Sequence, residues 1–345
     1  MLQKQIRSTL IRGGTSKGLF FLESDLPKCP QERNHIFLRS LGSPDPYKNQ
    51  IDGIGGATSS TSKIIIVNKS QYKGIDFEYT FGQVSINKNQ IDFSGNCGNL
   101  SSAVPLFAVH SGLVQEKNLY KMYQKAIDQC IEAQIEDFKD YTYFIDGVAF
   151  GGLKVGLKFL KPGKSMCKEI FPSGNLIDFI DGVQVTLVDS GIPSVFVKNS
   201  DLNIFAGENK NFLNSQESLK QKLENIRCQA SVLMGITQNI ESAKLKQTYP
   251  KICVVSDSID YIDSAGRDIK KENIDVLARY LSMGDFHHAI PITGAVALTT
   301  CLQFKDTVCG VLLGQDMGQG LLKLKEKFKI MIFNMLCFLE VVVLL

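Results

Sequence analysis

The stretch GNCGNLSSAVPLFAV, residues 95–109, decides how this chain is read. A polar, glycine-flanked turn runs straight into an apolar segment. Leu100, Val104, Phe107 and Ala108 recur at helical spacing, and Gly95 or Asn96 stands where a cap belongs. Pro105 falls near the start, where a helix tolerates proline. The reading predicts one buried helix opened by a cysteine-bearing turn. Working outward, QIRSTLIRGG and LFFLESDLP predict two strands joined by a glycine turn, residues 31–41 a short helix, and SKIIIVNKS a buried β-branched strand. IDFEYTFGQVSI and NQIDFSG predict further strands before the helix, and residues 140–160 return to strands after it.

A second set follows. DGVQVTLVDSGIPSVFVKNS predicts two strands about a Gly-Ile-Pro turn, residues 215–235 a helix, KICVVSDS a strand, KENIDVLARYLSMG an amphipathic helix, and HHAIPITGAVALTTCLQF a last helix. A strand set leading through a glycine-rich turn into an apolar helix thus occurs twice, which predicts two similar α/β halves. The turn-rich run KPGKSMCKEIFPSGN crosses between them. We place the halves at 1–178 and 179–328, with an atypical apolar tail at 329–345.

Composition narrows the function. At 345 residues the chain is long enough for two domains. A net charge of +3, with lysines scattered rather than striped, argues against nucleic acid. The final run KFKIMIFNMLCFLEVVVLL is interrupted by Asn334 and Glu340, which argues against a membrane span. Nine cysteines, an odd number with no CxxC pair, and an N-terminus without an apolar leader segment fit reduced thiols in a cytoplasmic protein. The four histidines lie in no metal-ligand spacing, so no metal is expected.

Four motifs carry candidate chemistry. RGGTSKG (12–18) offers close backbone approach, the Thr15 and Ser16 hydroxyls and two cations, which suit a carboxylate or phosphate; an ordinary polar turn has the same pattern. DGIGGATSSTSK (52–63) delivers Lys63 to the mouth of an apolar strand, where desolvation lowers a lysine pKa and fits it to take a proton from carbon; a strand-edge lysine reaching back to water is the commoner case. GNCGN places Cys97 at a helix start, where free N–H groups favour a thiolate; a small buried thiol is the alternative. SMGDFHHAIPITGAV (282–296) brings His287 and His288 to a turn before a helix, where either could meet a carboxylate or simply lie satisfied at the surface.

Together these blocks, with FPSGN and DSGIPSVFV in the same order, resemble the PrpF family over residues of about 5 to 310. The resemblance implies an α/β (α+β) fold of the diaminopimelate-epimerase type. Two similar domains each wrap a curved, mostly antiparallel sheet around a central helix, with the active site in the cleft between them. It implies an isomerase that needs no cofactor and moves an allylic proton on a small unsaturated polycarboxylate, such as 2-methylaconitate or aconitate. Lys63 and Cys97 are the implied acid/base pair. Thr15, Ser16, Asn96, Gly98, Asn99 and His287 are the implied substrate contacts, and a homodimer is the implied assembly. A 4-oxalomesaconate-type tautomerase is the runner-up. The chain departs from the pattern at LLGQDMGQG (312–320), where Gln315 stands at the place of a histidine and no Pro-Ser follows. That departure carries a third reading, an inactive carboxylate-binding member.

Overall fold

The computed structural model describes residues 5–145, 148–263, 266–313, 330–332 and 335–336. The chain forms two compact units, Met1–Tyr143 with Gly151–Leu160 and Phe144–Phe150 with Lys161–Leu345. Residues 161–178 therefore belong with the second unit. Gly163 bridges to Ser190 there, and Ile170 and Phe171 pack on that unit's core.

In the first unit, β1 (Thr9–Gly13) turns antiparallel into β2 (Ser16–Leu22), which runs parallel to β3 (Lys63–Lys69) after α1 (Pro30–Leu41). β4 (Phe77–Val84) lies antiparallel to β3, and β5 (Ile91–Asp92) folds back on it. After α2 (Gly98–Ser101) and α3 (Val104–His110), β6 (Leu119–Gln124) joins β4 in parallel, followed by antiparallel β7 (Gln129–Ile135) and β8 (Val155–Phe159).

Side chains alternate across a strand, so each strand divides its residues between two faces. Leu19, Phe21, Ile64 and Ile66 pack with Phe37 and Leu41 of α1. Phe20 points the other way and meets Phe107 of α3 at 5.5 Å between ring centroids. Phe20 and Phe107 are both buried, and each contributes on the order of 1.5–3 kcal/mol of burial free energy. The sequence predicted one helix across residues 95–109; the structure has two. Pro105 sits in the first turn of α3 and has no N–H to continue the ladder from α2, so the chain restarts at Val104.

The second unit begins with β9 (Asp178–Ile180), antiparallel to β10 (Val183–Ser190), which turns at Gly191 into β11 (Ile192–Lys198). α4 (Lys210–Ser215), α5 (Glu217–Leu233) and α6 (Ile240–Leu245) precede β12 (Lys251–Asp257), which runs parallel to β11. The small pair β13 (Tyr261–Ile262) and β14 (Asp268–Ile269) follows. β15 (Val276–Ser282) is antiparallel to β12, and β16 (Asp285–Phe286) folds back on it. After α7 (Ile292–Leu302), β17 (Ile330–Ile332) joins β15 in parallel and pairs with β18 (Met335–Leu336).

KENIDVLARYLSMG is thus a strand over 276–282, not the expected helix. Its period-2 reading is the one the core uses. Val276, Ala278 and Tyr280 pack in the cluster around α7, while Leu281 packs in the cluster beneath α5. α7 itself is buried along almost its whole length, as its unbroken apolar sequence requires. Gln315 and most of the 329–345 tail lie outside the described residues.

Candidate functional site

Lys63 is the first residue of β3. It shares a face with Ile65 by alternation, the face turned away from α1. Its cross-strand partner is Gln83 on β4, and two positions back along that strand stands Phe81. The result is a lysine only 8% exposed, its Nζ 5.1 Å from the Phe81 ring centroid and donating to Gln83 Oε1 at 2.6 Å. Among the described residues, no carboxylate lies within ion-pair reach of it. Burial holds its pKa below the ordinary lysine value, with a smaller opposing contribution from Cys97. The start of β3 lies beside the helix that Cys97 opens: a Cβ on Gly18 would stand 2.9 Å from both Lys63 O and Leu100 Cδ1.

Cys97 is the N-cap of α2, in an extended conformation and half-buried. Its carbonyl accepts from Ser101 N at 2.9 Å and from Ser101 Oγ at 3.0 Å, which fixes the backbone beneath the thiol. Its Sγ lies 3.9 Å from Ser16 Oγ. Asn99 Nδ2 donates to Thr15 Oγ1 at 2.9 Å and lies 3.4 Å from Ser16 Oγ. The β1–β2 turn and the start of α2 are therefore one polar cluster. Glycine is what lets them meet: a Cβ on Gly13 would stand 2.3 Å from Asn99 O.

Asn96 accepts through Oδ1 from Tyr79 Oη at 3.2 Å, with Ser101 Oγ 3.4 Å away. Its Nδ2 is buried without a hydrogen-bond partner, a donor left open beside Cys97 in the chain. Tyr79 is fully buried, and its Oη lies 2.8 Å from Ser101 Oγ; burial pushes the phenol's pKa well up, so it stays protonated.

Of the residues singled out in the sequence, the fold brings Lys63, Cys97, Ser16, Thr15, Asn96, Gly98 and Asn99 into the first unit's β1–β2–β3–β4 and α2 frame. His287 belongs to the second unit. There it stacks on His288 with ring centroids 4.4 Å apart, and its Nδ1 contacts the backbone of Ala289, 2.5 Å from the carbonyl oxygen.

Two residues that shape the site were missed. Gln83 was hidden because an isolated glutamine in a strand carries no motif; its meaning comes only from the β3–β4 register. Gln50 anchors the loop before Lys63: its Oε1 accepts from Ala57 N and Ser62 Oγ, both at 2.8 Å, and its Nε2 donates to Ser43 Oγ at 2.9 Å. Asp45 completes the anchor by accepting from the N–H groups of Tyr47, Asn49 and Gln50, which holds its carboxyl below the usual range. Among the described residues, no group of three or more His, Cys, Asp or Glu side chains is arranged to hold a metal ion. Nor is any described helix long and apolar enough to cross a membrane.

A buried amine near a thiol, ringed by hydroxyl and amide groups, suits proton transfer at the carbon of an anionic substrate. Residues 3–325 match the sequence model of the family described as "PrpF protein". A 2-methyl-aconitate isomerase from Shewanella oneidensis is 37% identical, over 90% of this chain and 85% of its own. Among solved structures, a methylitaconate-delta-isomerase superposes with a TM-score of 0.74 at 28% identity, covering 95% of this chain and 87% of that one. A hydroxyproline epimerase from Agrobacterium vitis, at 11% identity and a TM-score of 0.51, shares the fold alone.

Proposed function

Because this chain belongs to the PrpF family, we propose that it isomerises a small unsaturated polycarboxylate of the 2-methylaconitate type by moving an allylic proton between Lys63, the substrate and Cys97. The observation that carries the reading is the state of Lys63. It is buried against a neutral amide and depressed in pKa, which is what a general base for a carbon acid needs near neutral pH. The chain is an isomerase; the substrate and the division of roles are the proposal.

In this reading the neutral amine of Lys63 takes a proton from the allylic carbon. The electron pair spreads through the conjugated double bond onto a carboxylate. Thr15, Ser16, Asn99 and the open Nδ2 of Asn96 stabilise the charge that builds there. Rotation about the bond that has lost double-bond character, or return of the proton at the other end of the system, gives the isomer. Cys97 is the partner acid/base. The side chains of the first unit supply the whole proton path, so no metal or organic cofactor is invoked. Gly98 contributes backbone at the start of α2, and His287 a carboxylate contact. Cytoplasmic residence and a homodimer belong to the same proposal; sedimentation at micromolar concentration tests the dimer.

The test is incubation with 2-methylaconitate, aconitate, methylitaconate and 4-oxalomesaconate, following isomer ratios by proton NMR. The proposal expects 2-methylaconitate to be turned over with the highest kcat/KM. Preference for 4-oxalomesaconate would move the chain to the tautomerases. A folded sample that leaves all four unchanged would contradict the proposal.

A further inference from the structure

The amide of Gln83 is fixed at both ends. Its Nε2 donates to two backbone carbonyls, Ser59 O and Ser62 O, both at 3.1 Å. Backbone carbonyls can accept but not donate, so a flipped amide would set oxygen against oxygen; the NH2 group faces them and the amide oxygen faces Lys63. Ser59 and Ser62 lie in the loop that Gln50 pins through Ser62 Oγ. The glutamine thus ties the loop, the start of β3 and the lysine head group together.

The position rejects glutamate for the same reason. A carboxylate there would present an oxygen to two carbonyl oxygens with no proton between them. The charged or titratable groups on the surrounding elements leave Gln83 as the amine's hydrogen-bond partner. On β5, Asp92 pairs with Gln83 through the backbone; its Oδ1 accepts from Ser94 N and Ser94 Oγ, and no ion pair joins it to Lys63 among the described residues. On β2, Lys17 donates its backbone N–H to Ser60 O. Cys97 stands at the start of α2, and Tyr79 on β4 donates to Asn96 Oδ1.

We propose that Gln83 is the positioning residue for the proton-transfer step: it aims the Lys63 amine and gives it a neutral acceptor in place of a carboxylate, so that the amine can stand free of its proton. This rests on Lys63 being the base. The burial that lowers the pKa of Lys63 supports it, because a carboxylate at 2.6 Å would cancel that effect.

The experiment compares wild type, Gln83→Met and Gln83→Glu by two readouts. One is the pH profile of kcat and kcat/KM. The other, which needs no turnover, is the titration of the Lys63 13Cε resonance in lysine-labelled protein, assigned by its absence in Lys63→Met. In Gln83→Met the amine loses an acceptor that favours its charged form, so its pKa moves further down. Because the amine is no longer aimed, kcat falls about 10- to 100-fold with KM little changed. In Gln83→Glu the pKa moves up by about one unit or more, and the acid limb of the profile moves with it. Shifts of opposite sign in the two variants, with circular dichroism unchanged, support the proposal. A Lys63 titration that ignores both substitutions overturns it, as does an unchanged kcat in Gln83→Met. If Lys63→Met retains turnover, the reading of the base fails instead; the resonance titration still decides whether Gln83 governs the amine. If Gln83→Glu does not fold, Gln83→Met alone carries the test.

Discussion

The two units are the same frame built twice, and they differ in what surrounds the buried lysine of each. In each, a hairpin is followed by a parallel crossover, an antiparallel partner with a short fold-back strand, a helical segment (α2 and α3 in the first unit, α7 in the second), and a strand added in parallel. Outside the hairpin turn the strand registers correspond. Gly13 pairs with Ser16 at the first hairpin's end, and Ser190 with Ile192 at the second's. Lys63 opens β3 opposite Gln83; Lys251 opens β12, and its Nζ donates to Ser282 Oγ at 3.2 Å across the strand. Both lysines are 8% exposed. The helix N-caps then diverge. Cys97 opens α2, but Pro291 opens α7, and proline has no proton to give. The hairpin turn is one residue longer in the first unit, and the added length includes Thr15, which Asn99 holds. A buried lysine at the mouth of this frame is therefore an architectural feature. What marks the first copy is the thiol, the hydroxyl-bearing turn and the locked glutamine added around it.

The largest effect should come from the lysines. Lys63→Met is expected to lower kcat about 100- to 10,000-fold, while Lys251→Met leaves kcat near wild type; steady-state kinetics on both checks this. Equal losses would mean that the two copies share the chemistry. Next come the caps: Cys97→Ser should cost about 100-fold in kcat, and Pro291→Ala should leave it near wild type. Cys97→Ser at wild-type rate would remove the thiol from the account.

The hairpin ends sharpen the comparison energetically. A Cβ at Gly13 would collide with the Asn99 carbonyl, whereas Ser190 already carries a side chain, its Oγ accepting from Thr300 Oγ1 at 2.9 Å. Gly13→Ala should therefore cost about 1–3 kcal/mol in denaturant unfolding, and Ser190→Ala less. The smallest effect is one of sign. Lys63 has a lowered pKa in the folded chain, so below that value the fold carries the cost of a buried charge. The cost is relieved as pH rises from the folded value toward the ordinary 10.5 of an unfolded lysine. Lys63→Met should therefore melt above wild type at neutral pH, with the gap narrowing toward alkaline pH. A gap that widens would contradict the lowered pKa.

Much of this was legible in the sequence, because the informative residues sit at element boundaries. Glycine turns, the Cys97 cap and the SKIIIV strand each carry a local signal, and the structure gathers Thr15, Ser16, Cys97 and Asn99 into one cluster. The strand over 276–282 was misread because VLARYLS buries apolar residues on both faces: Val276, Ala278 and Tyr280 meet α7, Leu281 the α5 cluster and Leu277 the pocket of Tyr261 and Ile269, which removes the alternation that marks a half-exposed strand. The break between α2 and α3 was underweighted because a proline near a helix start can as easily belong to a second helix. Gln83 and Gln50 could not be found at all. Their roles are hydrogen bonds across 7 to 24 residues of sequence, set by strand register and loop closure rather than by any neighbouring residue.

The most direct test is proton exchange on 2-methylaconitate in D2O, with wild type, Lys63→Met and Lys251→Met followed side by side by proton NMR. The account predicts that wild type and Lys251→Met interconvert the isomers with deuterium entering at the allylic carbon, and that Lys63→Met does neither while remaining folded. Isomerisation and deuterium entry at comparable rates in Lys63→Met would contradict it.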